Sequence, residues 1–237
     1  MVYGETGRYP LYIDSTVSSF RYWFKLSKMP MTRFPKQALV MLKNSPDTNT
    51  THKNSNWAGS IKDCLESYSF HDVWTHGRVE NEKAFLSAFK QRMIERFKQE
   101  WFTKISESER FSTYFSFKSV HQLETYLNDI TIEKFRDTLI RLRLGINDLG
   151  VNKHFLCDSF VNKNCPFCPD ILEDESPFLF CCPAYDDARR KYLSHIILPD
   201  TVHSLNSVFD NASTEQLTKI AMFVFYALKR REELLAQ

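Results

Sequence analysis

The sequence predicts an all-α, mostly helical protein carrying one small Cys-rich, zinc-knuckle-like hairpin or loop, with little β-structure. Three observations carry that class. The 237 residues include only six glycines, apolar side chains recur at spacings of three and four instead of alternating, and four of the six cysteines fall between positions 165 and 182. A hydrophobic content of 43%, with 14% aromatic, fills a core and excludes a disordered chain. No run of about 18 apolar residues occurs, and Met1-Val-Tyr-Gly-Glu lacks the apolar centre of a secretory leader. The expectation is an intracellular chain, nuclear or cytoplasmic, with no membrane partner. Six cysteines are too few to staple a chain of this length, and their clustering favours reduced thiols around a metal.

Taken in order, the first helix is expected over 13–28. Val17, Phe20 and Phe24 make its stripe, Asp14 or Ser15 caps it, and Pro30 stops it. Pro35 suits the first turn of a second helix reaching Lys43. The polar stretch 45–56 reads as an exposed loop. A third helix over 57–67 places Ile61, Cys64, Leu65 and Tyr68 on one side, which makes Cys64 a small core residue. His71 and His76 stand five apart, a spacing that suits no metal on a helix, so both read as structural.

The longest periodic segment, 82–104, repeats Phe85, Phe89, Met93, Phe97 and Trp101 every four residues, with Leu86 and Ile94 beside them. Lys83, Lys90, Arg92, Arg96 and Lys98 are expected on its other face. Such a basic face either lies along a phosphate backbone or is simply solvated. Residues 106–119, aromatic and short of helix stripes, read as extended, with a short helix over 121–127 behind them. A helix over 131–144 turns Ile132, Phe135, Leu139 and Leu142 inward and Lys134, Arg136, Arg141 and Arg143 elsewhere, until Gly145 stops it.

The stretch from Gly150 onward reads as turns leading to the cysteines. Beyond them come a short basic helix over 186–194, a turn near 205–209 and a last helix capped by Ser213. That helix buries Leu217, Ile220, Ala221, Val224, Phe225 and Leu228, and its Lys229, Arg230 and Arg231 suit a C-terminal end. Two helical regions result, 9–130 and 131–237, the second holding the knuckle across 154–185.

A net charge of +2 announces no nucleic-acid partner by itself, yet residues 1–110 carry 17 Lys and Arg against 12 Asp and Glu, and the remainder 14 against 17. The acidic run Asp170, Glu173, Asp174 and Glu175 reads as an exposed loop tip that phosphate avoids. Around it, Cys165-Pro-Phe-Cys168 is a tight turn aiming two thiolates at one point, and Cys181-Cys182 returns thirteen residues later. Cys165, Cys168 and Cys182 are the first three candidate ligands for Zn. Cys181 is the expected fourth, with His154 or Cys157 as alternatives, and the competing reading is a set of reduced thiols without metal.

Tyr185-Asp186-Asp187 differs by one residue from a Tyr-x-Asp-Asp polymerase turn, and its aspartates read instead as the cap and first turn of the following helix. Glycine-rich phosphate loops, a Ser-His-Asp order and His-Glu-x-x-His are absent from the sequence, so no enzyme is expected.

Three stretches resemble a known arrangement in their order. They are Gly4-Glu-Thr-Gly-Arg-Tyr-Pro-Leu-Tyr-Ile13, Leu139-Ile-Arg-Leu-Arg-Leu-Gly-Ile-Asn147, and Cys165-Pro-Phe-Cys168 followed by Glu173-Asp-Glu, Phe178-Leu-Phe and Cys182-Pro-Ala-Tyr185. Together they resemble the region after the reverse transcriptase domain of non-LTR (LINE-like) retrotransposon polyproteins. The family's knuckle has Cys-x-x-Cys, then a His, then four residues and a Cys. Mapped here, Pro177 stands where the His should be, so Cys181 or His154 has to substitute for it. The resemblance implies a zinc-bearing segment that grips RNA or DNA beside a polymerase. It also implies a truncated, non-catalytic fragment, since neither polymerase aspartates nor an endonuclease accompany it. A structural or protein-interaction remnant with no activity of its own is the alternative.

Overall fold

The computed structural model describes residues 1–44, 56–156, 162–197, 204–209 and 212–236. The expected loop over 45–56, Asn56 excepted, and Cys157 lie outside the described residues. Among the described residues the α-helices are α1 (Val2–Thr6), α2 (Leu11–Ser27), α3 (Phe34–Asn44), α4 (Trp57–Ser67), α5 (His71–His76), α6 (Glu82–Glu107), α7 (Ser112–Phe117), α8 (Tyr126–Asp129), α9 (Glu133–Arg143), α10 (Gly150–Leu156), α11 (Glu175–Phe180), α12 (Asp186–Leu193), α13 (Leu205–Phe209) and α14 (Thr214–Leu235). The all-α class is what the structure shows. No strand forms among the described residues, and two isolated antiparallel bridges join Thr6 to Leu123 and Asn164 to Leu172.

The chain makes two compact units, one of Tyr9–Glu100 and one of Met1–Arg8 with Trp101–Gln237. The boundary therefore follows Glu100 and not residue 130.

In the unit Tyr9–Glu100, α2 buries Ile13, Val17, Phe20, Trp23 and Phe24 on the stripe that spacings of three and four predict. The Phe20 and Phe89 rings meet edge to face at 4.6 Å, and Phe24 meets Phe85 at 5.5 Å. Each such fully buried aromatic contributes about 1.5–3 kcal/mol. The helix starts a turn before the expected Asp14 or Ser15 cap, because the Pro10 carbonyl accepts from Ile13 N at 3.1 Å. α4 keeps its expected bounds, and the Asn56 side chain caps it by accepting from Gly59 N.

α3 is turned inside out. Phe34 and Met41 are exposed, while Lys36 donates to the Ser27 carbonyl and Lys43 lies 4.1 Å over the Trp74 ring.

In the other unit, several expected elements change. Residues 106–119 are helical, not extended, because Phe111, Tyr114 and Phe117 repeat every three residues and the last two are buried. The short helix expected over 121–127 lies instead at Tyr126–Asp129. Ile132 precedes α9 and is exposed, whereas Phe135, Leu139 and Leu142 are buried as expected. Turns were expected after Gly150, but α10 forms there, started by Asn147, whose side chain accepts from Leu149 N at 3.1 Å. Lys229, Arg230 and Arg231 are not a helix end, since α14 runs on to Leu235. Ser213 caps that helix in a full capping box with Gln216.

The largest departure is Arg143, expected to point outward and in fact 3% exposed. It donates to both carboxylate oxygens of Glu5, at 3.1 and 3.3 Å, and pairs with Glu124 at 3.2 Å. Tyr126 also donates to Glu5, and Lys118 pairs with Glu124. Gly4 precedes that acid because a Cβ there would stand 2.6 Å from Trp101 and from the Tyr114 hydroxyl. This buried ionic knot fastens Met1–Arg8 and the 101–130 segment to α9, which is why the unit boundary falls at residue 100.

Candidate metal centre

The cysteine segment is a short hairpin followed by a helical turn. Cys165 N donates to the Ile171 carbonyl at 2.7 Å and Glu173 N to the Lys163 carbonyl at 2.8 Å. Pro166 and Pro169 flank its tip, and Asp170 turns the chain with φ of +68°. α11 follows, with Asp174 accepting from Ser176 N at 2.8 Å as its cap. Its last carbonyls are closed by Arg189 of α12, which donates to Leu179 O at 2.8 Å and to Cys182 O at 3.1 Å. Arg189 thus fixes the backbone of Cys182, a role that a surface reading of the basic 186–194 helix misses. Asp186 and Asp187 sit in the first turn of α12, as expected, although Tyr185 holds the cap position.

This frame brings Cys165, Cys168 and Cys182 together, with all three sulfurs within 4.8 Å of one another. Cys168 Sγ lies 3.5 Å and Cys165 Sγ 3.9 Å from Cys182 Sγ. Metal–sulfur bonds of about 2.3 Å put tetrahedral corners about 3.8 Å apart, so the sulfurs stand at ligand spacing with no rearrangement. The three cysteines can hold a metal ion.

Cys165 and Cys182 are buried and Cys168 is half-buried. Burial pushes the Cys182 thiol up to about 12 and raises Cys168 as well, so an entering cation displaces protons. The Tyr185 hydroxyl is buried with no hydrogen-bond partner among the described residues. Burial, with Glu173 nearby, holds it well above the usual phenol range, and it lies within electrostatic reach of Cys182 and Cys165. A buried donor beside sulfurs is what a thiolate set uses and a neutral thiol set wastes.

The expected fourth ligand is not brought in. Cys181 is exposed and stays outside the group, because neighbouring side chains at the end of α11 diverge. His154, on α10 beside Phe155, is also outside it.

The acidic run is not a solvated tip. Glu173 is 2% and Glu175 0% exposed. Glu173 accepts from Arg231 Nε at 2.9 Å, from Arg231 Nη2 at 2.7 Å and from Gly150 N at 2.8 Å. Glu175 accepts from Asn152 at 2.6 Å and from Asn147 at 3.3 Å. These acids tie the hairpin to α10 and α14.

Burial is the main cause that raises the Glu175 carboxyl above its unfolded value of 4.5, only partly offset by the two amides. A raised native pKa gives stability that is present below the unfolded pKa and lost as pH rises through the native one. Glu175→Gln, which cannot ionise, is therefore expected to gain on the parent protein between pH 4 and pH 7. Urea midpoints at the two values check it, and parallel pH dependence of both proteins rejects it.

The basic residues of α6 do not form one face. At about 100° per residue, Lys83, Lys90 and Lys98 fall on one flank of the apolar stripe and Arg92 and Arg96 on the other. Lys90 pairs with Asp14 at 2.6 Å and Lys98 lies 5.8 Å over Tyr9. Arg92 donates to the Tyr68 carbonyl at 2.9 Å and stacks on Phe70, and Arg96 pairs with Glu100 at 3.0 Å. Cys64 is half-buried against the core of this unit, as expected. His71 and His76 are exposed, His71 beside Glu66 and His76 against the Asp72 carbonyl. No helix among the described residues is long and apolar enough to cross a membrane. Comparison with family models, curated proteins and solved structures finds no match.

Proposed function

We propose that this chain is a non-catalytic nucleic-acid-binding module, of the kind found after the reverse transcriptase domain of non-LTR retrotransposons, whose cysteine hairpin holds Zn. The observation that supports it most is the convergence of Cys165, Cys168 and Cys182 at ligand spacing on a hairpin and helical turn. Zinc there fixes the hairpin to α11, and the basic excess of the first half supplies the phosphate contacts. Lys83 and Lys98, exposed and outside any ion pair among the described residues, are better placed for phosphate than Arg92 and Arg96, which their own carbonyl and carboxylate partners hold.

Anisotropy of labelled single-stranded RNA and duplex DNA against salt tests the reading. Binding is expected to weaken steeply with salt, and Lys83→Glu with Lys98→Glu to weaken it about tenfold and lower the salt slope. No binding to either nucleic acid at about 50 mM salt rejects it. A protein-interaction module is the second reading, favoured by the exposed apolar face of α3, where Phe34 is 83% and Met41 73% exposed.

A further inference from the structure

We propose that the three-cysteine centre is a metal site with its fourth position open to solution, where a bound divalent cation takes an exogenous neutral nitrogen donor of the imidazole class. The inference rests on the metal reading of the same cluster and goes beyond it in what completes the site. Structural zinc sites are closed by four protein ligands, and a site with three keeps a vertex for another molecule.

Here the helical turn that precedes Cys182 has no donor to give. The Pro177 ring carries none, and its carbonyl already accepts from Cys181 N at 3.0 Å and Cys182 N at 2.9 Å. Cys181 turns outward at the end of α11. Tyr185 is a buried phenol whose proton is available to a thiolate, so it supports a sulfur and does not replace one.

Exposure places the open vertex. Cys165 and Cys182 are 5% and 3% exposed, while Cys168 is half-buried at the hairpin tip between the exposed Pro166 and Pro169. A cation held by these sulfurs meets solvent on the Cys168 side. Charge sets the class of ligand. A divalent ion with three thiolates carries one net negative charge, which disfavours a further anion and leaves a neutral donor as the better fourth ligand.

The test uses Co²⁺ on the reduced full chain, read by its d–d and sulfur-to-cobalt charge-transfer bands, with imidazole as the added donor. One Co²⁺ per chain is expected. Its d–d bands should shift when imidazole is added, and Cys181→Ser, Cys157→Ser and His154→Ala should each leave the spectrum and that shift unchanged. Cys165→Ser and Cys182→Ser should lose the charge-transfer bands, with far-ultraviolet circular dichroism confirming that the variants stay helical. Bands that imidazole leaves unmoved in the parent chain, but moves in one of the three outer variants, show that the protein supplies the fourth ligand and overturn the proposal. Absence of Co²⁺ uptake by the parent chain overturns the metal reading itself, a result distinct from a closed four-ligand spectrum.

Discussion

Arg143→Met is expected to lower folding stability by about 3–5 kcal/mol, the cost of leaving a buried carboxylate without its cation. Arg143 is 3% exposed and Glu5 is equally enclosed, so water cannot replace the lost guanidinium. Glu124 loses the same partner at 3.2 Å. The double variant Glu5→Gln with Arg143→Met should recover part of the loss, because it removes the stranded charge and keeps the volume. Urea unfolding of the single and double variants measures both quantities. A single variant that costs under about 1 kcal/mol would mean that the pair is solvated and the knot does not hold the unit.

Glu173→Gln is expected to cost a similar amount and, in addition, to loosen the metal centre. Its carboxylate takes two bonds from Arg231 and one from Gly150 N, while its own amide closes the hairpin onto Lys163. Cys165 sits two residues from that closure, so its sulfur keeps its place only while the hairpin stays registered. Loss of an outer support of this kind typically weakens metal binding by about 10- to 100-fold. Competition of Zn²⁺ or Co²⁺ against a chelator reads the affinity, and Arg231→Met should reproduce the effect from the other side of the pair. Lost stability with unchanged metal affinity in both variants would show that the acid serves α14 alone and not the hairpin.

Much of the molecule was legible from local pattern. The bounds of α4, the stripe of α6, the cap of α14 and the stop at Gly145 follow from spacing and capping chemistry alone, since each depends on residues within a few positions of itself. The Cys-x-x-Cys pair and Cys182 were legible too, because thiols at turn-forming spacing have few other uses in a reduced chain.

What failed were inferences from polarity to exposure. Arg143, Glu173, Glu175 and Arg231 look like surface charges, but each is buried because a partner distant in sequence neutralises it. The basic residues of α6 looked like one surface and are two flanks, several of them bound to their own unit. The missing fourth ligand belongs to the same group of errors: adjacency of Cys181 to Cys182 gives no information on which side chain the end of α11 turns inward.

The sequence by itself determined the helical class, most helix cores and the three sulfur ligands, because short-range periodicity and turn chemistry are encoded within a few residues. Only the tertiary structure decided which charges are enclosed, where the chain divides into units, and that the sulfur set ends at three among the described residues. Those outcomes depend on pairing across 58 residues for Arg231 with Glu173 and 138 for Arg143 with Glu5. A one-dimensional pattern cannot show which distant groups desolvate each other.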